Sequence, residues 1–128
     1  MNDKRILKNQ NRAGNPARRQ LEFDVVRDQT MRRKDAFVAR LVSHLHARGE
    51  CMVYEGTLDH KGYARLNFRY RGMNVTIHAH RVFLIMQIGK PIPLGYEAAH
   101  EKGCQHRTCV AHVRLEHYKK NAATNKHG

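Results

Sequence analysis

Two cysteines and four histidines lie within the 22 residues 100–121, and this concentration of metal ligands constrains the fold more than any other feature of the chain. Cys104, Cys109 and His112 offer two thiolates and an imidazole, three of the four ligands of a tetrahedral zinc ion. Cys51, the one remaining cysteine, stands at the start of a predicted strand that can be brought beside this loop. Together they form a complete Cys3His set, although spacing alone leaves open that the cysteines are ordinary buried residues.

A structural zinc ion would leave His100 and Asn121 available for chemistry. His100 ends the apolar run 96–99, which predicts a short strand, and a neutral histidine at a strand edge can accept a proton from water. Asn121 lies in a polar stretch that predicts a helix, and its amide oxygen suits a hard cation such as magnesium. His106, in the presumed zinc loop, and His117, at the start of the predicted helix, lack this strand-edge position.

Charge points to a polyanionic partner. Lysine and arginine number 24 against 11 aspartates and glutamates, which gives a net charge of +13 in a chain of 128 residues. Double-stranded DNA is the partner that such a balance favours, whereas the absence of a long apolar run argues against a membrane. Three cysteines and no secretory signal fit a reducing compartment in which thiols remain available for zinc.

The N-terminal part of the chain predicts an arm and two helices. Residues 1–15 are polar and basic, and form either an arm that neutralises phosphates or a solvated tail without a specific role. Pro16 opens a predicted helix. A stronger helical period begins at Thr30, and Gly49 is placed to end that helix. Its apolar positions are Phe37, Val38, Leu41, Val42 and Leu45. The opposite face follows a DNA backbone or simply faces solvent, and carries Arg32, Arg33, Lys34 and Arg40.

A small antiparallel sheet is predicted next, from residues 51–55 and 63–70 joined by a turn at 59–62, with a further strand at 74–78. In 63–70 the even-numbered side chains are apolar and the odd-numbered ones mostly polar. Arg65, Asn67 and Arg69 suit base edges in a major groove, or lie on the solvent side of an ordinary meander. A helix at 79–88 packs in the core, and the prolines of 91–95 predict an extended connector.

The order of elements and these residues resemble the HNH nucleases, also called His-Me finger or ββα-metal nucleases, and among them the zinc-containing phage and homing endonucleases. The resemblance covers about 51–125, and includes Ala79-His80-Arg81, the segment 89–93, the Cys-x4-Cys loop and the closing helix. As in the family, His112 follows His100 by 12 residues and Asn121 follows it by 21. The resemblance implies that His100 is the general base and that Asn121 holds a catalytic magnesium or manganese ion. It implies these structural zinc ligands: Cys51, Cys104, Cys109 and His112.

The chain departs from the family's pattern at three places. Cys104 follows His100 by four residues where the family usually has two, and the Asn-Pro pair after the second cysteine is absent. Ala99 stands where many members carry an aspartate that is a second metal ligand. The last difference implies that Asn121 and DNA phosphate oxygens hold the cation.

We therefore predict an α+β fold with N-terminal helices, a small antiparallel sheet and a C-terminal zinc-stabilised ββα-metal unit. Residues 1–49 form the basic arm and helices, and 50–128 the nuclease domain. The predicted function is metal-dependent hydrolysis of DNA, with a noncatalytic zinc-stabilised DNA-binding protein and an RNA-directed nuclease as alternatives. Arg107 is a further candidate for phosphate contact or a surface role, and Lys119 and Lys120 surround Asn121 with positive charge. A monomer and a homodimer both fit, in the cytoplasm of a phage-infected bacterium.

Overall fold

The structure is a computed structural model that describes residues 14–101, 104 and 106–117. These residues form an α+β fold of three helices and three two-stranded antiparallel sheets. Within them no helix has the length and apolar character to cross a bilayer. In chain order the elements are α1 (Pro16–Arg32), α2 (Lys34–Ser43), β1 (Leu45–Arg48), β2 (Cys51–Tyr54), β3 (Arg65–Tyr70), β4 (Met73–His78), α3 (Ala79–Ile88), β5 (Tyr96–His100) and β6 (Val113–His117).

The first helix begins as the sequence predicts, but the second is shorter. Asn15 caps α1 by accepting a hydrogen bond from the Arg18 backbone N–H at 3.1 Å, and Pro16 takes the first helical position. The predicted helix from Thr30 to Gly49 is wrong at both ends, because Arg33 breaks it from α1 and residues 45–48 are strand β1. Gly49, at φ 59°, belongs to the turn between β1 and β2 instead of ending a helix.

Strand pairing also differs from the prediction. The sequence predicts that 51–55 pairs with 63–70, but β2 pairs with β1 and β3 pairs with β4. The predicted turn at 59–62 is present, because the Asp59 carboxylate accepts the backbone N–H groups of Lys61 and Tyr63 at 2.9 and 3.0 Å. The alternation within β3 is confirmed, with Leu66 and Phe68 buried and the intervening Arg65, Asn67 and Arg69 exposed.

Helix α3 lies at the centre of the core. Its predicted bounds are confirmed, and Gly89 ends it in the left-handed conformation at φ 67°. Val82 and Ile85 pack in one hydrophobic cluster with buried side chains from both halves of the chain. That cluster includes Val25, Phe37, Leu41, Leu66, Ile77, Ile92 and Val113. An ion pair between Glu22 of α1 and Arg81 of α3 joins the N-terminal helices to α3. The Arg81 side chain is only 15% exposed.

The last two strands form the hairpin predicted to carry His100. β5 runs antiparallel to β6, with His100 opposite Val113 and Tyr96 opposite His117. The sequence predicts a helix from Glu116, but Glu116 and His117 are strand residues of β6. The rest of that predicted helix, including Asn121, Lys119 and Lys120, lies outside the described residues. The hairpin is therefore observed, and the ββα unit to which the sequence assigns it stays a prediction.

Candidate metal centre and histidine cluster

The predicted Cys3His set comes together in space. The ligand atoms of Cys51, Cys104, Cys109 and His112 all lie within 4.8 Å of one another. The Cys51 sulfur lies 3.6 Å from both the Cys104 sulfur and His112 Nδ1, and the Cys109 sulfur lies 3.6 Å from the same nitrogen. A tetrahedron with Zn–S about 2.3 Å and Zn–N about 2.0 Å has edges of roughly 3.5–3.8 Å. The four residues could therefore hold a metal ion such as zinc, and the cysteines are unbridged.

Backbone hydrogen bonds hold residues 108–110, which belong to the loop between β5 and β6 that we call the metal loop, against β2. The Val110 N–H donates to the Met52 carbonyl and the Tyr54 N–H to the Thr108 carbonyl, both at 2.8 Å. Cys109 thereby forms an isolated antiparallel bridge with Val53. Cys51, Val53 and Cys109 are buried as a small cluster of their own, separate from the main core. Sheet formation thus brings the N-terminal ligand, Cys51, beside the loop, as the sequence predicts.

The thiols differ in their affinity for protons. Burial alone would raise the pKa of Cys109, but hydrogen bonds from Cys51 and from nearby backbone, including that of His112 and Ala111, lower it to about 7. The hydrogen bond with Cys109, together with burial, raises the pKa of Cys51 to about 12. Cys109 therefore supplies a thiolate near neutral pH, and binding of a cation would displace the proton of the Cys51 thiol.

His100 is held against the same loop. Its Nε2 lies 3.0 Å from the Cys109 carbonyl oxygen. Because a carbonyl only accepts, Nε2 must carry the hydrogen, and in the neutral ring the lone pair is then on Nδ1. Burial lowers the pKa of His100, although the hydrogen bond to Cys109 partly offsets this. The backbone of Cys109, a candidate metal ligand, thus fixes both the tautomer and the orientation of His100.

Three histidines and a tyrosine form a ring cluster beside the metal centre, defined as Tyr63, His78, His80 and His100. The His80 ring lies 5.2 Å from that of His100 and 5.6 Å from that of His78, and Tyr63 lies 5.3 Å from His80 and 6.2 Å from His100. Burial and the neighbouring histidines lower the pKa of His80 to about 3. His80 is therefore neutral at physiological pH and packs against His100 without adding a charge.

Asp59 supports the outer end of the ring cluster. Its Oδ2 lies 2.8 Å from His78 Nε2, while its other oxygen accepts the turn N–H groups described above. The Tyr63 and Lys61 backbone donors and His78 lower the pKa of Asp59 to about 2. The sequence marks Asp59 only as a turn residue. Its contact with His78 depends on the packing of the 59–63 turn against the end of β4, which no local pattern reveals.

Arg107 joins the metal loop to the ring cluster. Its guanidinium lies 5.7 Å from the centre of the Tyr63 ring and donates to the Lys61 carbonyl. Arg107 is exposed, so its guanidinium remains accessible to solvent beside His100's cluster. Arg107 is thus a predicted phosphate-contact residue that lies within the metal loop itself.

The exposed face of the β3–β4 ribbon leads to the ring cluster. Arg69, Asn67 and Arg65 lie opposite Asn74, Thr76 and His78 in the register. The Thr76 hydroxyl donates to Asn67 Oδ1 at 2.7 Å, and the Arg69 guanidinium donates to Asn74 Oδ1 at 3.2 Å. These cross-strand contacts hold the polar side chains in fixed orientations on the face that ends at His78.

Arginines from the two N-terminal helices bind the outer edges of this ribbon. Arg40 of α2 donates to the Asn67 carbonyl at 2.9 Å, and Arg18 of α1 donates to the Thr76 carbonyl. Arg32, Arg33 and Lys34 lie at the junction of α1 and α2, and the first two face the β3–β4 turn rather than the metal loop.

Searches against family models, curated proteins and solved structures found no match to this chain. The HNH resemblance therefore stays a prediction, and function is inferred from the geometry of the described residues.

Acid should destabilise the fold through His80. The pKa of His80 is about 3 in the folded chain and 6.5 in the unfolded chain. Between about pH 3 and pH 6.5 the His80 ring therefore binds a proton only when the chain is unfolded. The free energy of unfolding therefore falls as pH falls below 6.5, by up to about 1.4 kcal/mol per pH unit. His80→Phe keeps a ring in the cluster but lacks this titration.

Urea unfolding of both proteins, with zinc in the buffer, measures the effect. Between about pH 7.5 and about pH 5.5 the wild type should lose about 1 kcal/mol more than His80→Phe. Equal losses would mean that His80 does not resist protonation.

Proposed function

We propose that the protein is a metal-dependent DNA endonuclease of the HNH type. The observation that carries the proposal is the position of His100, at the end of β5 with Nε2 bound to the Cys109 carbonyl. A general base must be neutral, oriented and accessible through one nitrogen. The contact with the metal loop orients the ring, and burial keeps it neutral near pH 7.

The reaction follows from the tautomer of His100. Nδ1 accepts a proton from a water molecule, and the water oxygen attacks the phosphorus of a phosphodiester in line with the departing 3′ oxygen. As the new P–O bond forms, the bond to the 3′ oxygen breaks and that oxygen takes a proton from solvent, which leaves 5′-phosphate and 3′-hydroxyl ends. Asn121 is the predicted ligand for a magnesium or manganese ion, which when bound neutralises charge on the phosphate and leaving oxygen.

The zinc in this proposal is structural. Four protein ligands complete a tetrahedral shell, so no position remains for a catalytic water. The role of the centre is to fix the loop that carries the Cys109 carbonyl, and through it the His100 ring. Arg107 supplies an exposed positive charge next to the ring cluster, where a phosphate has to lie.

Double-stranded DNA is the substrate that the ribbon favours. A twisted two-stranded ribbon fits a major groove, and the guanidinium and amide groups of Arg65, Asn67 and Arg69 match purine edges. The same ribbon is also the observation that favours the second candidate, a noncatalytic zinc-stabilised DNA-binding protein, because it does not depend on His100.

Incubation of the zinc-loaded protein with supercoiled plasmid separates the two candidates. We expect nicked or linear DNA when magnesium or manganese is added and none in its absence, because the phosphate charge must be neutralised during attack. Structured RNA in a parallel reaction tests the RNA-directed alternative. A folded, zinc-containing protein that binds plasmid but leaves it intact with either metal would favour the noncatalytic candidate.

A further inference from the structure

An open cleft of about 630 Å³ lies at the end of the ribbon remote from His100. One wall is the last turn of α1 and the break that follows it, with Arg32 and Arg33. The other wall is the β3–β4 turn, with Arg69 and Arg71, and Tyr70 lies between them. The site proposed for cleavage uses none of the helix residues, so this cleft is a separate feature.

Charge in the cleft is strongly unbalanced. Four guanidiniums line it and Asp28 is the one carboxylate among its lining residues. Asp28 lies 3.4 Å from Arg32, whose side chain is 77% exposed, so this ion pair is weakened by solvent. Guanidinium groups form paired hydrogen bonds with the oxygens of phosphate, and several of them around one cleft favour a phosphate over a carboxylate-sized monoanion.

Arg71 has an unusual backbone conformation for an arginine. Its φ is 48°, and Gly72 beside it has φ 78°. These values fit a two-residue type I′ turn, in which asparagine or glycine at the first position is favoured because a larger side chain is strained there. The Arg71 guanidinium lies 5.3 Å from the centre of the Tyr70 ring, which holds it toward the cleft. The turn thus presents a guanidinium at a cost in stability that asparagine would avoid.

We infer that this cleft binds a backbone phosphate of the same DNA molecule that lies along the ribbon. The inference rests on the proposed function, because it takes the ribbon as the DNA-reading surface. Arg65, at the end near the ring cluster, and Arg69, at the cleft, are four residues apart on β3. An extended strand covers about 13 Å over four residues, which equals about four base pairs at roughly 3.4 Å each. One duplex therefore reaches both ends of the ribbon. A backbone phosphate bound in the cleft, here called the phosphate anchor, would fix the distance along the DNA to the scissile phosphate.

The test compares Arg71→Asn with the matched control Arg48→Asn. Both changes remove one positive charge, and Arg48 lies at the end of β1, paired with Glu55 at 2.9 Å. Binding of a short fluorescent duplex is measured over a series of salt concentrations, in zinc-containing buffer without magnesium so that no cleavage occurs. Arg32→Gln, at the exposed end of α1, is a second cleft variant.

Arg71→Asn is expected to unfold at a higher temperature than the wild type, since asparagine tolerates the positive φ. It should nevertheless bind duplex roughly tenfold more weakly, the worth of a charged hydrogen bond. The slope of log Kd against log salt should fall by about one, because one phosphate contact is lost. Arg32→Gln should show the same fall in slope, and Arg48→Asn should keep the wild-type slope.

The outcomes separate this inference from the proposed function. Unchanged affinity and slope for both cleft variants, in a protein that cleaves plasmid, would remove the phosphate anchor and leave the nuclease. A fall in slope in a protein that binds but never cleaves would keep the anchor and remove the nuclease. Inorganic tripolyphosphate tests a free ligand: if it raises the melting temperature of the wild type but not of Arg71→Asn while duplex affinities are equal, the cleft binds free phosphate and the DNA anchor is wrong.

Discussion

Replacing His100 by alanine is expected to slow plasmid cleavage by roughly 10²–10⁴-fold, the usual contribution of a positioned general base. Zinc content and DNA affinity should stay near the wild-type values, because His100 is not among the four metal-centre residues and lies at the end of β5 rather than on the ribbon. Cleavage is measured as the initial rate of supercoiled-plasmid loss at saturating magnesium. Zinc content is measured by elemental analysis.

His106→Ala is the matched control for this change. His106 is an exposed histidine of the loop that carries Cys104 and Cys109, and its backbone carbonyl accepts from the Cys109 N–H and the Cys104 thiol. Its removal should therefore leave cleavage unchanged. If His100→Ala cuts at the wild-type rate, the proposed mechanism is refuted and the noncatalytic DNA-binding protein becomes the better candidate. If both variants lose activity together with zinc, the loop rather than the base would account for the loss.

Cys109→Ser is expected to cause a large loss of stability. Cys109 is fully buried, its sulfur lies 3.6 Å from His112 Nδ1, and its backbone bridges Val53. The change removes a metal ligand and buries a hydroxyl in its place. Loss of a structural metal site costs at least about 3 kcal/mol in the free energy of unfolding. The melting temperature should fall by on the order of 10 °C.

A chelator distinguishes loss of metal from loss of packing. A zinc chelator should lower the melting temperature of the wild type toward that of Cys109→Ser and should hardly change the variant, because the variant has already lost its ion. Activity should fall in parallel, since the Cys109 carbonyl no longer holds His100 in place. Well-folded wild-type protein that contains no zinc by elemental analysis would show that the assignment of the metal centre is wrong.

Local patterns predicted the elements whose residues interact with near neighbours. Helix α3 has a continuous apolar flank and a glycine directly after it, so both its bounds were predictable. Apolar and polar side chains alternate along β3, and this pattern predicts which face is buried without predicting which strand pairs with β3. The proximity of the Cys3His residues was predictable for a different reason, because coordination chemistry restricts zinc ligands to a few residue types and the chain has only three cysteines.

Features that depend on long-range packing were not predictable. Leu45 continues the helical period of α2, yet 45–48 forms a strand because β2 needs a partner and the hairpin turn at Gly49 supplies one. The cluster of His78, His80 and His100 arises where the start of α3, directly after β4, meets the end of β5, through a contact between His80 and His100, which are 20 residues apart. Asn121 lies outside the described residues, so its predicted role as a metal ligand stays a prediction.

The hydrogen bonds of Arg18 and Arg40 to the outer carbonyls of β4 and β3 limit the width of the ribbon. Strand edges with open carbonyls can recruit a further strand from the same or another molecule. Each added strand would widen the ribbon by about 4.8 Å, and the major groove of B-DNA is only about 12 Å wide. By occupying one outer carbonyl on each strand, the two arginines hinder the addition of a further strand, and the proposed contact with a DNA groove requires a ribbon of this width.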